Sequence, residues 1–317
     1  MNQVNSRRTF LGRVSSGLLG AGLAACGGSQ ANTNSKPAFV LVHGAWHNAS
    51  TYTEVIAQLA GLGHFGIALD LPGHGVRAKL PSTWQRRPFD ATAFANEASP
   101  IAGITLTDYA SHVIEVIDQV RALGYDRVVL VGHSLGGVTI TQVGEQAAEK
   151  ISKLVYLSAF LPFNGKAMLD TATSPEGAGN QVFGLVIGDP RAIGAQRIDP
   201  ADPDADYRAR VKSALYGDVP DDEVAAMCNL LTPDEPVQPA VTPIVRSASN
   251  WGALQRHYIK CLQDNAVTPA LAQKMIDVAD AEFPQQKTVV HTLNSSHSPF
   301  LSNPAGVAQL LSTIALS

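Results

Sequence analysis

Apolar residues in this chain fall in short unbroken runs rather than in strict alternation. Residues 38–42 read Ala-Phe-Val-Leu-Val and stop at His43-Gly44. A continuous apolar run of that length marks a strand covered on both faces. Similar runs recur at 65–69, 128–131, 153–157, 258–262 and 288–293, most of them separated by stretches with helical spacing. In one of these stretches Ile114, Ile117, Val120 and Arg121 follow a candidate N-cap, Thr107, and Gly124 supplies the stop. Strand alternating with helix predicts an α/β fold, a doubly wound, mostly parallel sheet of about six strands with right-handed crossovers.

Two stretches interrupt the alternation. Residues 76–104 hold Pro81, Pro88 and Pro100 with two aromatic anchors, Trp84 and Phe89, and form an excursion too long for a simple crossover. Residues 159–250 are rich in Asp, Pro and Gly but contain amphipathic pieces at 207–215 and 222–231. Their position after the fourth strand predicts a helical cap over the carboxyl ends of the sheet, where open α/β sheets place their ligands.

The N-terminus is a different kind of sequence. Arg7, Arg8 and Arg13 precede an uncharged stretch, 14–25, that is shorter than the ~20 apolar residues of a membrane span. Gly17, Gly20 and Gly22 each cost about 1 kcal/mol relative to Ala inside a helix, which argues against an ordinary first helix. Ser6-Arg7-Arg8-Thr9-Phe10-Leu11 resembles the twin-arginine export motif, and Leu23-Ala24-Ala25-Cys26 resembles the lipobox of bacterial lipoproteins. The expectation is a signal peptide over 1–25, a lipid anchor on Cys26, a flexible tether over 26–37, and a catalytic domain over 38–317, exported to the bacterial cell envelope. Cleavage before Cys26 would remove three Arg and no acid, taking the net charge from −4 to −7. Cys228 and Cys261 would then remain, as a disulfide or, on the blander reading, as two separate thiols.

With 317 residues, 45% hydrophobic and 16% charged, the chain can build a sizeable core and is not disordered. No run of Lys or Arg offers a footprint for a nucleic acid.

The chemistry sits after the third run. Val128-Val129-Leu130-Val131-Gly132-His133-Ser134-Leu135-Gly136-Gly137 is a strand followed by G-x-S-x-G and a helix-compatible stretch, the context of a nucleophile elbow. A serine hydroxyl needs a base, and the base needs an orienting acid, in the chain order Ser, acid, His. His297 follows the last strand in a polar loop, whereas His291 lies within the strand-like run as a packed or edge histidine. Asp264 follows the run 258–262 at its carboxyl end; Asp280 and Glu282 are rivals at a helix end, where a solvated charge is the default. The backbone N–H groups of Leu135 and Ala45 are the candidate oxyanion donors. His43 and His47 have the spacing of metal ligands without a third ligand, so a turn-stabilising role is preferred, and His74 reads as a loop brace. No metal or cofactor is required.

Together, residues 39–46, Asp70-Leu71-Pro72-Gly73-His74-Gly75, Gly132–Gly137, residues 258–264 and Ser296-His297-Ser298-Pro299 resemble the α/β-hydrolase superfamily. Within it the chain looks like the branch of plant methylesterases, the salicylate-binding esterase, hydroxynitrile lyases and related bacterial esterases. The resemblance implies a triad of Ser134, Asp264 and His297, with Ala45 and Leu135 donating to the oxyanion. It also implies a small-molecule ester as substrate. Plant hydroxynitrile lyases carry a Thr and a Lys where this chain has Gly44 and Ser298, which favours ester hydrolysis over C–C lysis. Ser134 excludes a dehalogenase, which needs a carboxylate nucleophile. A slow or non-catalytic ligand-binding protein is the rival from another class. Phe160, Phe163, Met168, Phe183 and Leu185 are candidate pocket walls for small or aromatic apolar groups.

Overall fold

The computed structural model describes residues 37–317. The signal, lipidation and tether expectations on residues 1–36, Cys26 included, lie outside the described residues. Eight strands follow in chain order: β1 (Ala38–Val42), β2 (Phe65–Leu69), β3 (Val128–His133), β4 (Lys153–Leu157), β5 (Ala195–Arg197), β6 (Asp234–Pro236), β7 (Gln255–Cys261) and β8 (Val289–Leu293). Six form one sheet in the order β2-β1-β3-β4-β7-β8, every neighbouring pair parallel.

The unbroken apolar runs are explained by two-sided burial. In β1 the side chains of Ala38, Val40 and Val42 pack under the helix Leu106–Ala122, while Phe39 and Leu41 face the opposite core with Leu311 of the helix Pro304–Leu316. Every residue of β1, β3 and β4 is buried. The last strand departs from that pattern: β8 is the sheet edge, and Val289 and Val290 are exposed.

Helix Leu106–Ala122 starts two residues earlier than Thr107 implies. Thr105 is the cap, accepting from the Asp108 N–H while the Asp108 carboxylate accepts from the Thr105 N–H. This reciprocal pair satisfies two end donors and is worth about 1 kcal/mol. Gly124, at φ +93°, ends the helix as expected. In the excursion 76–104 the buried aromatic is Phe94 rather than Phe89, which is 41% exposed and leans on the Phe94 ring; Trp84 donates to Asp199.

Between β4 and β7 lie the helices Ala205–Leu215 and Asp221–Cys228, several shorter ones, and the antiparallel strand pair β5–β6. Their apolar faces form a third core with Leu185, Val211, Leu215 and Met227, which also takes in Trp46 from the loop after β1. Cys228 and Cys261 are separate thiols. No helix among the described residues is long and apolar enough to cross a membrane.

Candidate active site

Ser134 follows β3 directly, and the helix Gly136–Gln146 begins two residues later. Its φ of +52° lies in the left-handed region that L-residues rarely adopt. A Cβ at Gly132 would stand 2.7 Å from the Gly136 carbonyl oxygen, and one at Gly136 would stand 2.6 Å from that of His43. Glycine at both positions therefore lets the turn close, with the serine at its apex. Ser134 opens into a narrow cavity walled by Leu135, Phe160, Met168, Phe183 and Leu215, in which His297 also takes part.

Asp264 and His297 come from loops at the carboxyl ends of the adjacent strands β7 and β8. His297 Nδ1 lies 2.9 Å from Asp264 Oδ2, and both side chains are buried. Asp264 is held on its other oxygen by the N–H groups of Ala266 (2.7 Å) and Val267 (2.9 Å), and Ser158 Oγ donates to Oδ2. Donors to both oxygens fix the rotation of the carboxylate. An Nδ1–H bonded to a carboxylate leaves Nε2 as the basic nitrogen of the ring.

The N–H groups of Ala45 and Leu135 meet no acceptor among the described residues, and both residues line the cavity beside Ser134. The loop after β1 thus brings a free donor to the nucleophile. The match to the α/β hydrolase family covers residues 39–310.

This chain belongs to the α/β hydrolase family.

Within the family it is similar to the putative methylesterase 11, chloroplastic, of Arabidopsis thaliana, 29% identical over 87% of this chain and 63% of that protein. The chain thus spans less than two thirds of that relative's length. It is also similar to the carbendazim hydrolyzing esterase of Nocardioides sp. (strain SG-4G), 37% identical over 44% of this chain and 49% of that protein. The crystal structure of a pyrethroid hydrolase from Sphingobium faniae JZ-2 superposes with a TM-score of 0.66 at 21% identity, covering 89% of this chain and 98% of that one.

The histidines of this α/β hydrolase divide by what surrounds them. His43 donates from Nδ1 to the Gly44 carbonyl (2.8 Å) and accepts the Leu71 N–H at Nε2 (3.0 Å), tying the loops after β1 and β2. Burial, with His74 nearby, pushes its pKa well below the usual range. His47 donates to the Ala45 carbonyl and meets the Tyr216 hydroxyl, each at 2.8 Å, and burial lowers its pKa to about 4. Both are neutral braces, as their place beside glycine and the turn predicts. His74 Nε2 lies 2.9 Å from the buried Glu235 carboxylate. Burial opposes its charge, but Glu235, helped by the Pro72 carbonyl and Asp70, raises its pKa on balance. His291 sits on the edge strand against His257, 3.1 Å away, and it is His297 that meets Asp264.

Of the expected walls, Phe160, Met168 and Phe183 line the cavity. Leu185 instead fills the third core, and Phe163 packs against the core under the sheet. Asp280 is spent on Thr288, accepting from its N–H and hydroxyl at 2.8 Å. Glu282 accepts from Arg246 (2.9 Å).

Several supports are absent from the sequence reading. His133 donates to the backbone carbonyl of His297 (2.9 Å), and Asp218 accepts from Ser295 (2.8 Å) and Ser296, so the loop carrying His297 is tied at three successive residues. Ser158, also left-handed at φ +46°, has no motif around it.

Proposed function

We propose that this chain is a serine hydrolase of carboxylic esters, with Ser134 as nucleophile, His297 as base and Asp264 as orienting acid. The observation that carries the reading is a conjunction: the Ser134 apex and the His297 ring share one cavity, and the ring is bonded through Nδ1 to Asp264 at 2.9 Å. Ester hydrolysis also agrees with the names of the relatives, a methylesterase and an esterase.

In the first half-reaction Ser134 Oγ attacks the ester carbonyl carbon and its proton passes to His297 Nε2. The carbonyl oxygen becomes an oxyanion, stabilised by the Ala45 and Leu135 N–H groups. Collapse breaks the C–O bond to the alcohol, which leaves with the proton from His297. Water then attacks the acyl-enzyme by the same relay, releasing the acid and restoring Ser134. Asp264 keeps the ring in the required tautomer and stabilises the imidazolium. The apolar walls and the narrow space between them favour small or aromatic apolar acyl and alcohol groups.

A chromogenic short-chain ester tests this directly. The wild type should release product with a burst, and Ser134→Ala should fold normally and release none. More than a trace of turnover in that variant overturns the reading.

We propose also that the chain is exported and anchored through a lipid on Cys26. This rests on the paired arginines, the short uncharged stretch and the sequence before Cys26.

A further inference from the structure

We infer that Glu235 is a positioning residue for the oxyanion hole, acting from the inserted segment through the backbone of Trp46; this rests on reading Ala45 as an oxyanion donor.

Trp46 follows Ala45 and adopts φ +63°, a conformation a bulky side chain keeps only where its surroundings impose it. Every polar group of Trp46 is gripped by the insertion. Its N–H donates to Glu235 Oε2 (3.2 Å) and its indole N–H to the Gln196 carbonyl (2.8 Å). Its carbonyl accepts from the Thr232 N–H (2.9 Å) and hydroxyl (3.1 Å). Gln196 and Glu235 are paired across the antiparallel strands β5 and β6, so the two strands pinch the tryptophan between them.

The grip reaches the Ala45 amide through peptide geometry. In a trans peptide the C=O and N–H point in opposite directions, so holding one aims the other. The Gly44–Ala45 peptide is held at its carbonyl by His43 Nδ1 (2.8 Å), leaving the Ala45 N–H free. The next peptide is held at both ends, by His47 on the Ala45 carbonyl (2.8 Å) and by Glu235 on the Trp46 N–H. Releasing the Glu235 end lets Trp46 leave the left-handed region, and the Ala45 amide is then aimed only by the contacts on the Gly44 carbonyl.

A buried carboxylate is an expensive way to brace a turn unless its partners are fixed. Here Glu235 is 1% exposed, with Oε2 2.9 Å from His74 Nε2 and Oε1 accepting from the Tyr109 hydroxyl at 2.9 Å. It thereby joins the loops after β1 and β2 and the helix Leu106–Ala122. Its strand pair is clamped in turn by the buried pair Arg197–Asp234, at 2.6 and 2.8 Å.

The experiment compares Glu235→Ala, Glu235→Asp and Glu235→Gln by steady-state hydrolysis of a chromogenic ester and by inhibition with a trifluoromethyl ketone, whose adduct carries the oxyanion. Misplacing one oxyanion donor should lower kcat about 10- to 100-fold. Glu235→Ala is expected to show that loss with KM within about threefold, and the ketone should bind more weakly by the same factor. Glu235→Asp keeps the charge beside His74 but falls one methylene short of Trp46, so it too should lose kcat, which decides the matter if the alanine variant does not fold. Glu235→Gln presents an oxygen to Trp46 and should restore activity to near wild type. Ser134-dependent turnover that is unchanged in Glu235→Asp overturns the inference alone, as does lost turnover with undiminished ketone binding. Turnover that survives Ser134→Ala overturns the esterase reading instead.

Discussion

Gly44 lies so close to Ser134 that a Cβ on the glycine would stand 2.7 Å from the serine Cβ. This contact lets the loop after β1 run against the nucleophile and bring the Ala45 N–H beside it. Gly44→Ala should therefore push the loop away from Ser134. Esterase kcat is expected to fall about 10-fold or more, as for a displaced oxyanion donor. Thermal unfolding and steady-state kinetics of the same preparation check this, and a variant with wild-type kcat would show that the loop plays no part.

The acid is tested by exchanging one atom. Asp264→Asn would offer His297 an amide in place of a carboxylate and favour the wrong tautomer, a change that costs ~10⁴ in rate in a serine protease. Asp280→Asn should leave kcat alone, because that carboxylate ties Thr288, just before β8, and does not meet His297. Equal losses in the two variants would show that neither acts through the tautomer of His297.

The legible part of this molecule was that in which chemistry and local backbone coincide. The elbow could be read because its turn needs glycine at 132 and 136, and Asp264 and His297 because each follows an apolar strand. The β5–β6 pair could not be read. β5 is Ala-Gln-Arg and β6 is Asp-Glu-Pro, three residues each. They are tied by Arg197 meeting Asp234, a pairing across 37 positions with no periodic signature. Trp46 and Glu235 are 189 positions apart, so the contact belongs to the tertiary fold. The edge character of β8 was hidden for the opposite reason. Its run is apolar, and only strand order decides how many faces are covered.

Acid should weaken the fold partly through histidines buried without charge. His257 has its pKa lowered to about 4, first by burial and then by His291 and Lys153. Its ordinary value is about 6.5, so the unfolded chain binds a proton that the folded chain refuses between those two pH values. Its contribution is complete above pH about 6.5 and is lost as pH falls towards 4. His257→Gln should accordingly lose less stability than the wild type over that interval in denaturant titrations. His74 works in the other direction, since its raised pKa favours the folded state at low pH and the benefit fades as pH rises through that value. Identical pH slopes for wild type and His257→Gln would contradict the neutral assignment.

Export and anchoring can be tested without knowing the substrate. Cys26→Ser should release the protein from the membrane fraction or leave its signal uncleaved. Replacing Arg7 and Arg8 together by Lys should hold it in the cytoplasm. Fractionation followed by esterase assay reads both outcomes, and wild-type protein found soluble in the cytoplasm would defeat the proposal.

Esterase and lyase differ in the charge that leaves. Cyanide departing from a cyanohydrin is an anion, and an ammonium in a water-poor site next to His297 could stabilise it by several kcal/mol. This chain offers Ser298 there, buried, with its hydroxyl unpartnered among the described residues. The second lyase position is closed by packing, because a threonine at 44 would begin with the same Cβ that collides with Ser134. The wild type should hydrolyse short esters and release no cyanide from aromatic cyanohydrins above the buffer background. Ser298→Lys should depress ester turnover, since a buried cation beside His297 disfavours the imidazolium on which proton transfer depends. The same cation lacks a carboxylate partner and should lower the melting temperature. Clear cyanide release by the wild type, with esters untouched, would overturn the functional reading while leaving the fold standing.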